Sequence, residues 1–454
     1  MGLLRVSLVP ASSRRLQVLT VSSLLLFVAG TCSGASLTDV FQQAQKNDPT
    51  LQAAYFKDQG TKEQRSQAIA QMLPNLSGSA ETGQNYQDIR SSDNTVYGTG
   101  RTDYGSTVYN LTLTQPLFHW EQILALQRAN AEILRSEAEY QLAVQDLIIR
   151  VSEAYLKVLA AQDQLSFAKA EQSAVEKHFE LASGQFKKGL IPITDMHDAT
   201  ARKATISART IEAENQLDDA LQALREMTGG EVTAIDRLLP EIPMKSPEPA
   251  DVGAWIEAAL RQNPAIQLRK YAIEVADKEV SRQNAGHLPT VDLVGAYEDE
   301  DTQGSLYGGG SDLATSKIMV KLNVPIFQGG MVNSRVREAE SQKSVARQEL
   351  IKQNRMVERQ TRSAFLAVQS ALSKVAALRQ SVASNQLALE AKQQGFLSGL
   401  YDSLAVLDAE RDLYQTKQEY AKARYDYLLN SLKLKKSTDN LTEKDLQQLA
   451  QLFK

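Results

Sequence analysis

The residue types that most often catalyse reactions or bind metals are few in this sequence and lie far apart. Its four histidines form neither an HExxH pattern nor a pair four residues apart; they are His119, His178, His197 and His287. Cys32 is the only cysteine, which excludes a disulfide framework and a thiolate zinc site. The glycines at 308–310 lack the Gly-Lys-Ser/Thr that completes a P-loop. We therefore predict a protein that is not an enzyme, with no catalytic residue, cofactor or metal.

The overall composition narrows the class of protein further. The chain has 454 residues, with 50 Lys+Arg against 54 Asp+Glu and a formal net charge of −4. This mild, dispersed acidity gives no basic patch, so no nucleic-acid partner is predicted. Hydrophobic residues make up 43% and charged residues 23%, which excludes a disordered chain and a bundle of membrane-spanning helices.

The first 35 residues have the pattern of a secretory signal peptide. Three arginines precede an apolar run over 18–30, and Ser33-Gly34-Ala35 supplies the small residues of a cleavage site. We predict cleavage between Ala35 and Ser36. Lipidation at Cys32 is the alternative, although Thr31 precedes it where a lipobox has Gly or Ala. An exported chain without a membrane-spanning helix is periplasmic, released, or in the outer membrane as a β-barrel.

The rest of the sequence contains an internal repeat. Residues 44–49 match 259–264, 73–74 match 288–289, 111–118 match 320–327, and 186–190 match 396–400, all in the same order. We predict a signal peptide at 1–35, a first repeat at 36–228, a proline-rich linker at 229–251, a second repeat at 252–433 and a C-terminal segment at 434–454. Each repeat would contain a helix, two strands, a long helix and a return helix.

The long helices carry coiled-coil heptads. Small apolar residues step by three and four from Val144 to Ala168, and again from Val357 to Val382. A helix of about 70 residues is about 105 Å long, far beyond the size of a compact domain. Each repeat is therefore predicted to be a long helical rod with a strand hairpin at one end.

The strands alternate apolar and polar residues as membrane strands do. Ile318, Val320 and Leu322 alternate with lysines and Met319, over segments of about 9–11 residues. Four such strands cannot close a barrel, and an open edge in lipid leaves backbone groups unsatisfied. The chain must then oligomerise: two copies would give eight strands with a filled interior, and three would give twelve with a water channel.

The sequence resembles the TolC family of outer-membrane channels over essentially everything after Leu37. The matching stretches are QFKKGLIPITD at 185–195, GHLPTVDL at 286–293, PIFQGGMVNS at 325–334, VLD at 406–408 and AKARYDY at 421–427. The resemblance implies an α+β membrane protein: a homotrimer with a twelve-stranded outer-membrane β-barrel continuous with an α-helical coiled-coil tunnel. The linker and the C-terminal segment would form an equatorial belt. It further implies an exit duct for drugs or proteins in Gram-negative bacteria, joined by a periplasmic adaptor to an RND, ABC or MFS transporter of the inner membrane.

The same resemblance assigns roles to particular residues. The adaptor-docking turns fall on Gly189, Leu190 and Ile191 and on Gly399 and Leu400. Of two acidic rings that close the family's entrance, one falls on Asp408 and the other is lost at Ala405. The latch between inner and outer coils falls on Thr194, Asp195, Phe396 and Tyr401. Phe396 and Tyr401 replace the family's tyrosine and arginine, so we expect any remaining link to run from Tyr401 to Asp195.

Two other interpretations stay open at this point. A passive porin would share the barrel but would not need helical rods of about 100 Å. A secreted coiled-coil scaffold would share the heptads but would not need strands with an apolar outer face.

Overall fold

The computed structural model describes residues 35–91, 99–232, 235–304, 309–439 and 441–454. The predicted signal peptide, apart from Ala35, and the Cys32 alternative lie outside these residues. Immediately after the predicted cleavage point, Ser36 caps the first helix. Its hydroxyl accepts a hydrogen bond from the Asp39 amide at 3.2 Å, and the Asp39 carboxylate accepts one from the Ser36 amide at 3.3 Å. The helix therefore begins where the signal peptide is predicted to end.

Helices make up most of the described chain. They are α1 (Leu37–Asn47), α2 (Pro49–Ala70), α3 (Trp120–Lys187), α4 (Ile193–Thr228), α5 (Val252–Gln262), α6 (Pro264–Asn284), α7 (Met331–Leu397), α8 (Ser403–Ser437) and α9 (Glu443–Ala450). The long helices α3 and α7 have 68 and 67 residues, as the heptads predicted. Helix α8 continues to Ser437 rather than ending at Lys433, because nothing in 434–437 breaks a helix.

Four strands form one antiparallel sheet in the order β1 (Asn75–Ile89), β2 (Gly100–Phe118), β3 (Thr290–Thr302) and β4 (Ser311–Asn323). The strands have 13 to 19 residues, so the predicted lengths were too short. Apolar alternation marks only the middle of each strand. Backbone pairing continues into polar ends, such as Asp301, which pairs with Asp312.

The register places the apolar residues of all four strands on one face. Leu76 pairs with Leu113, Leu111 with Tyr297, and Leu293 with Val320. Directly paired residues project from the same side of a sheet. On β4, Ile318 is 86% exposed and Val320 is 65% exposed. The sheet thus has a wide uncovered apolar face and two free edges, β1 and β4.

The helices form two tiers, one next to the sheet and one farther from it. In the tier next to the sheet, α2 packs on α3, α3 on α6 and α6 on α7. In the tier farther from the sheet, α4 packs on α3, α3 on α8 and α8 on α7. Helix α8 therefore ends where α6 begins, and α4 ends where α2 begins. At each break an asparagine amide donates to the last carbonyls of the upstream helix, Asn47 to Thr228 at 2.6 Å and Asn263 to Ser437 at 2.9 Å.

The largest core lies at this level, where the linker and the C-terminal segment pack against α1 and α3. The Tyr155 hydroxyl donates toward the carbonyls of Ala35 and Asp236, each at 3.2 Å, and its ring contacts Phe453 edge-on at 5.4 Å. Arg237 and Lys454 exchange two backbone hydrogen bonds of 2.9 and 2.8 Å. Burial raises the pKa of Tyr155, so its hydroxyl stays protonated as a donor.

Among the helices within the described ranges, none is both long enough and apolar enough to cross a bilayer.

Candidate functional site

The candidate site lies at the end of the molecule opposite the sheet, where each long helix turns back. Gly189 and Gly399 have φ values of 71° and 75°, the left-handed geometry that only glycine adopts without strain. The next amide of each turn bonds back to the long helix: Leu190 to the Gln185 carbonyl at 2.9 Å, and Leu400 to the Gly395 carbonyl at 2.7 Å. The two turns are therefore built alike and follow the internal repeat.

Both turns present apolar side chains to solvent. Leu190 is 69% exposed and Leu400 is 74% exposed, while the neighbouring Ile191 is partly buried. An exposed leucine at the tip of each hairpin has no packing role within the chain. This arrangement can bind a second surface through apolar contact.

The four predicted latch residues lie next to the turns but do not form one linked group. Thr194 donates to Asp195 at 3.3 Å. Phe396 packs its ring against His178 at 5.2 Å. The Tyr401 ring lies over Gly395, where a side chain would collide with it. Within the described part of this chain, no hydrogen bond joins Tyr401 to Asp195.

Asp408 lies on the second turn of α8 and is half-exposed. It forms an ion pair with Arg411 at 3.1 Å, and Arg411 also bonds to Asp412 at 3.1 Å. Ala405, at the other predicted ring position, supplies only its amide, which donates to the capping carboxylate of Asp402 at 2.8 Å. Asp408 therefore keeps a free face despite its ion pair.

Sequence reasoning missed a buried polar cluster between the two hairpins. Glu171 on α3 accepts a hydrogen bond from Arg202 on α4 at 2.7 Å. Glu410 on α8 accepts one from Gln393 on α7 at 3.5 Å. Both carboxylates are buried, and each of the four helices contributes one residue. The cluster thus lies where the α3–α4 hairpin meets the α7–α8 hairpin.

Burial has the largest effect on the pKa of both carboxylates in this cluster. Burial raises the pKa of Glu171, and the positive charges of Arg202, Arg209 and Arg411 lower it only in part. Burial also raises the pKa of Glu410, and the nearby Glu171 raises it further. The hairpin junction therefore takes up a proton more readily than exposed carboxyl groups do.

A second buried contact crosses the same junction. The His178 ring of α3 hydrogen-bonds to the Ser403 hydroxyl of α8. Burial lowers the pKa of His178, which keeps the ring neutral. The signal for both groups was visible in the heptads: Glu171 and His178 occupy the buried stripe of α3 between Ala168 and Ala182, where apolar residues are expected.

The comparison with protein families identifies this architecture. Residues 40–230 and 255–439 match the family described as Outer membrane efflux protein. The chain belongs to the outer membrane efflux protein family. The two matched stretches carry the two repeats with their strands, long helices and turns, so the candidate site of this efflux channel lies within the family's own fold.

Individual members of the family agree with this assignment. The channel is 32% identical to the outer membrane protein TolC of Escherichia coli over 424 residues, covering 90% of this chain and 83% of that protein. It is 29% identical to the alkaline protease secretion protein AprF of Pseudomonas aeruginosa, covering 97% of this chain and 92% of that protein. The Campylobacter jejuni CmeC outer membrane channel shares its fold, with a TM-score of 0.77 at 17% identity over 92% of this chain and 90% of that chain.

These similarities confirm the predicted family and location. The chain is an outer-membrane efflux channel of the TolC type, with a large helical part in the periplasm. The predictions for individual tip, ring and latch residues stay predictions.

Proposed function

We propose that this channel is the exit duct through which an inner-membrane transporter of the RND, ABC or MFS type, joined by a periplasmic adaptor, passes drugs or proteins out of the cell. The observation that carries the proposal is the pairing of an exposed apolar sheet face with helices of 67 and 68 residues. Helices of this length extend about 100 Å from the sheet. A passive porin does not need helices of that length. A secreted coiled-coil scaffold does not need a sheet with an exposed apolar face.

The proposal includes a homotrimer. Strands β1 and β4 are free edges, and an edge cannot stay unpaired in lipid. Three copies of the four-stranded sheet supply twelve strands, enough for a barrel with a water-filled channel. The segments 229–251 and 434–454 would then form a belt around the middle of the trimer, since they pack against α1 and α3 in one copy.

The proposal also assigns the exposed turns to adaptor docking. Gly189, Leu190 and Ile191 form one tip, and Gly399 and Leu400 form the other. In a trimer these tips form a ring at the periplasmic end. The latch would depend on Thr194, Asp195, Phe396 and Tyr401 meeting across hairpins or subunits, because within one chain they do not meet.

Complementation and detergent gels together test the duct. A strain without this chain should become sensitive to detergents and drugs even when its porins are intact, and the plasmid-borne chain should restore growth. Outer-membrane fractions should contain an oligomer that collapses to a single chain on boiling. A soluble monomer would exclude the duct and the porin alike. A heat-modifiable oligomer whose loss leaves sensitivity unchanged would favour the porin.

We further propose that three copies of Asp408 converge on the trimer axis and attract cations. Carboxylates close to a shared axis favour cation passage. Replacing Asp408→Asn should shift the reversal potential of single channels toward zero in a salt gradient, whereas Asp412→Asn on the same helix should not. Equal shifts in both variants would place Asp408 away from the constriction.

A further inference from the structure

The two repeats differ at the point where one helix ends and the next begins. In the first repeat, the acidic side chain that caps α2 is bound within the chain. Asp48 accepts two hydrogen bonds from Arg150, at 2.8 and 2.9 Å, and its side chain is almost completely buried. Leu51, Leu147 and Ile148, close to this pair in the chain, are buried in the largest core. The first junction is therefore closed, and its charges are neutralised from within.

The second repeat replaces both partners with neutral residues. Asn263 stands at the position of Asp48, since 259–264 match 44–49. Gln360 stands at the position of Arg150, since Val151 of α3 corresponds to Thr361 of α7 in the heptads. Instead of a closed core, an open cavity of about 600 Å³ lies here between α3, α6, α7 and α8, and it is lined by the buried Asn263 and the exposed Gln360.

The cavity wall carries more positive than negative charge. Four of its residues are basic, namely Arg269, Arg359, Lys433 and Lys436, and one is acidic, Asp146. Asp146 is already paired with Lys436, and Lys433 is 3.6 Å from Glu153. Within the described residues, Arg269 and Arg359 have no acidic partner. The wall thus presents two free guanidinium groups to whatever enters.

A polar side chain in the same wall is also available to a ligand. Gln353 of α7 is only 7% exposed as a residue and makes no hydrogen bond to any described residue. Its amide atoms are not sealed from solvent, so they face the open side of the cavity wall. Gln353 can therefore donate to or accept from a molecule bound there.

The remaining wall is apolar. Leu142 and Ile149 of α3, Leu268 of α6, and Met356 and Val357 of α7 line it. A cavity of this size holds a small organic molecule rather than a single inorganic ion. Its occupant must therefore combine an anionic group with an apolar body.

We propose that this cavity is a binding site for amphipathic organic anions, with Arg269 and Arg359 holding the acidic group and Gln353 donating a hydrogen bond. The ligand supplies the negative charge that Asp48 provides in the first repeat. Guanidinium groups favour this role because they bind sulfonates, phosphates and carboxylates in a fixed geometry. That such anions bind here while passing through the duct rests on the proposed function; the binding itself does not.

Titration calorimetry on the purified full-length oligomer in dodecyl maltoside tests the site, with octanesulfonate as the probe. Octanesulfonate should bind, inorganic phosphate should bind more weakly, and octanol should not bind. Replacing Arg269→Gln or Arg359→Gln should each weaken octanesulfonate binding about tenfold, the usual effect of losing a charge-assisted hydrogen bond. Arg362→Gln is the matched control, because this exposed arginine lies on α7 outside the cavity wall.

A second variant rebuilds the first junction in the second repeat. Asn263→Asp with Gln360→Arg adds the internal acid and base together, and should abolish binding while the heat-modifiable oligomer persists. Three outcomes would overturn the proposal: no octanesulfonate binding by the intact oligomer, equal affinity for phosphate and octanesulfonate, or equal losses in Arg362→Gln and the two cavity variants. If the oligomer also restores drug resistance in each of these cases, the proposed duct stands and the anion site alone fails.

Discussion

Arg150→Gln is expected to lower the free energy of unfolding by about 3 kcal/mol, at the lower end for a broken buried ion pair because the arginine is itself partly exposed. The loss comes from Asp48, which would remain buried at the junction of α4 and α2 without a charged partner. Guanidinium denaturation of the purified protein, followed by helix circular dichroism, would measure it.

The matched control is the double variant Asp48→Asn with Arg150→Gln. It copies the neutral pair Asn263 and Gln360 of the second repeat, so it should recover most of the stability lost by the single change. If the single and double variants unfold alike, the buried charge is not the cause.

The same ion pair predicts how acid acts on the junction. Burial alone would raise the pKa of Asp48, but the hydrogen bonds from Arg150 and from the Leu51 amide outweigh burial and lower it. A carboxyl group whose pKa is lowered by folding stabilises the fold above its unfolded pKa of about 4 and loses that effect as the pH falls further. The difference between wild type and the double variant should therefore shrink below about pH 4.

Leu190→Asp combined with Leu400→Asp should abolish the function of the duct without unfolding it. Each buried leucine contributes about 1.5 kcal/mol to an interface, so losing both should weaken adaptor binding about a hundredfold. The turns themselves should persist, because Gly189 and Gly399 set their geometry. Co-purification with a tagged adaptor and growth on detergent would measure the loss.

Leu387→Asp is the matched control for the tips. Leu387 of α7 is 67% exposed, much like Leu190 and Leu400, but it lies on the side of the helix shaft, about 15 Å before α7 ends at Leu397. The Leu387→Asp variant should retain adaptor binding. Normal growth of the tip double variant would mean that the adaptor docks elsewhere on the hairpins.

Most of the fold could be predicted from the sequence because it follows from periodicity. The heptads predicted two helices of about 70 residues, and α3 and α7 have 68 and 67; the alternation predicted the apolar face of the sheet. The lengths of the strands could not be predicted, since backbone pairing continues past the apolar part that marks a strand. Pairing between Asp301 and Asp312 shows this at the polar end of β3 and β4.

The positions of the hairpin turns could be predicted from Gly189 and Gly399, but the contacts between the two hairpins could not. Glu171, Arg202 and Glu410 lie on three helices separated by long stretches of chain, and only tertiary packing brings them together. Likewise, the loss of the Asp48–Arg150 pair in the second repeat can be read from the sequence only once the two repeats are aligned helix by helix. Whether Tyr401 serves the latch depends on neighbouring subunits, which no single-chain pattern describes.

Strands β2 and β3 join the two repeats through a long hydrogen-bonded register, from Ser106 opposite Thr302 to Phe118 opposite Val291. At the turns, among the described residues, the repeats meet through side chains such as His178 and Ser403 and share no backbone ladder. Side-chain contacts yield to torsion more easily than a continuous ladder of backbone hydrogen bonds. A twisting load applied at the turns should therefore deform the helical hairpins before it disturbs the pairing of the strands.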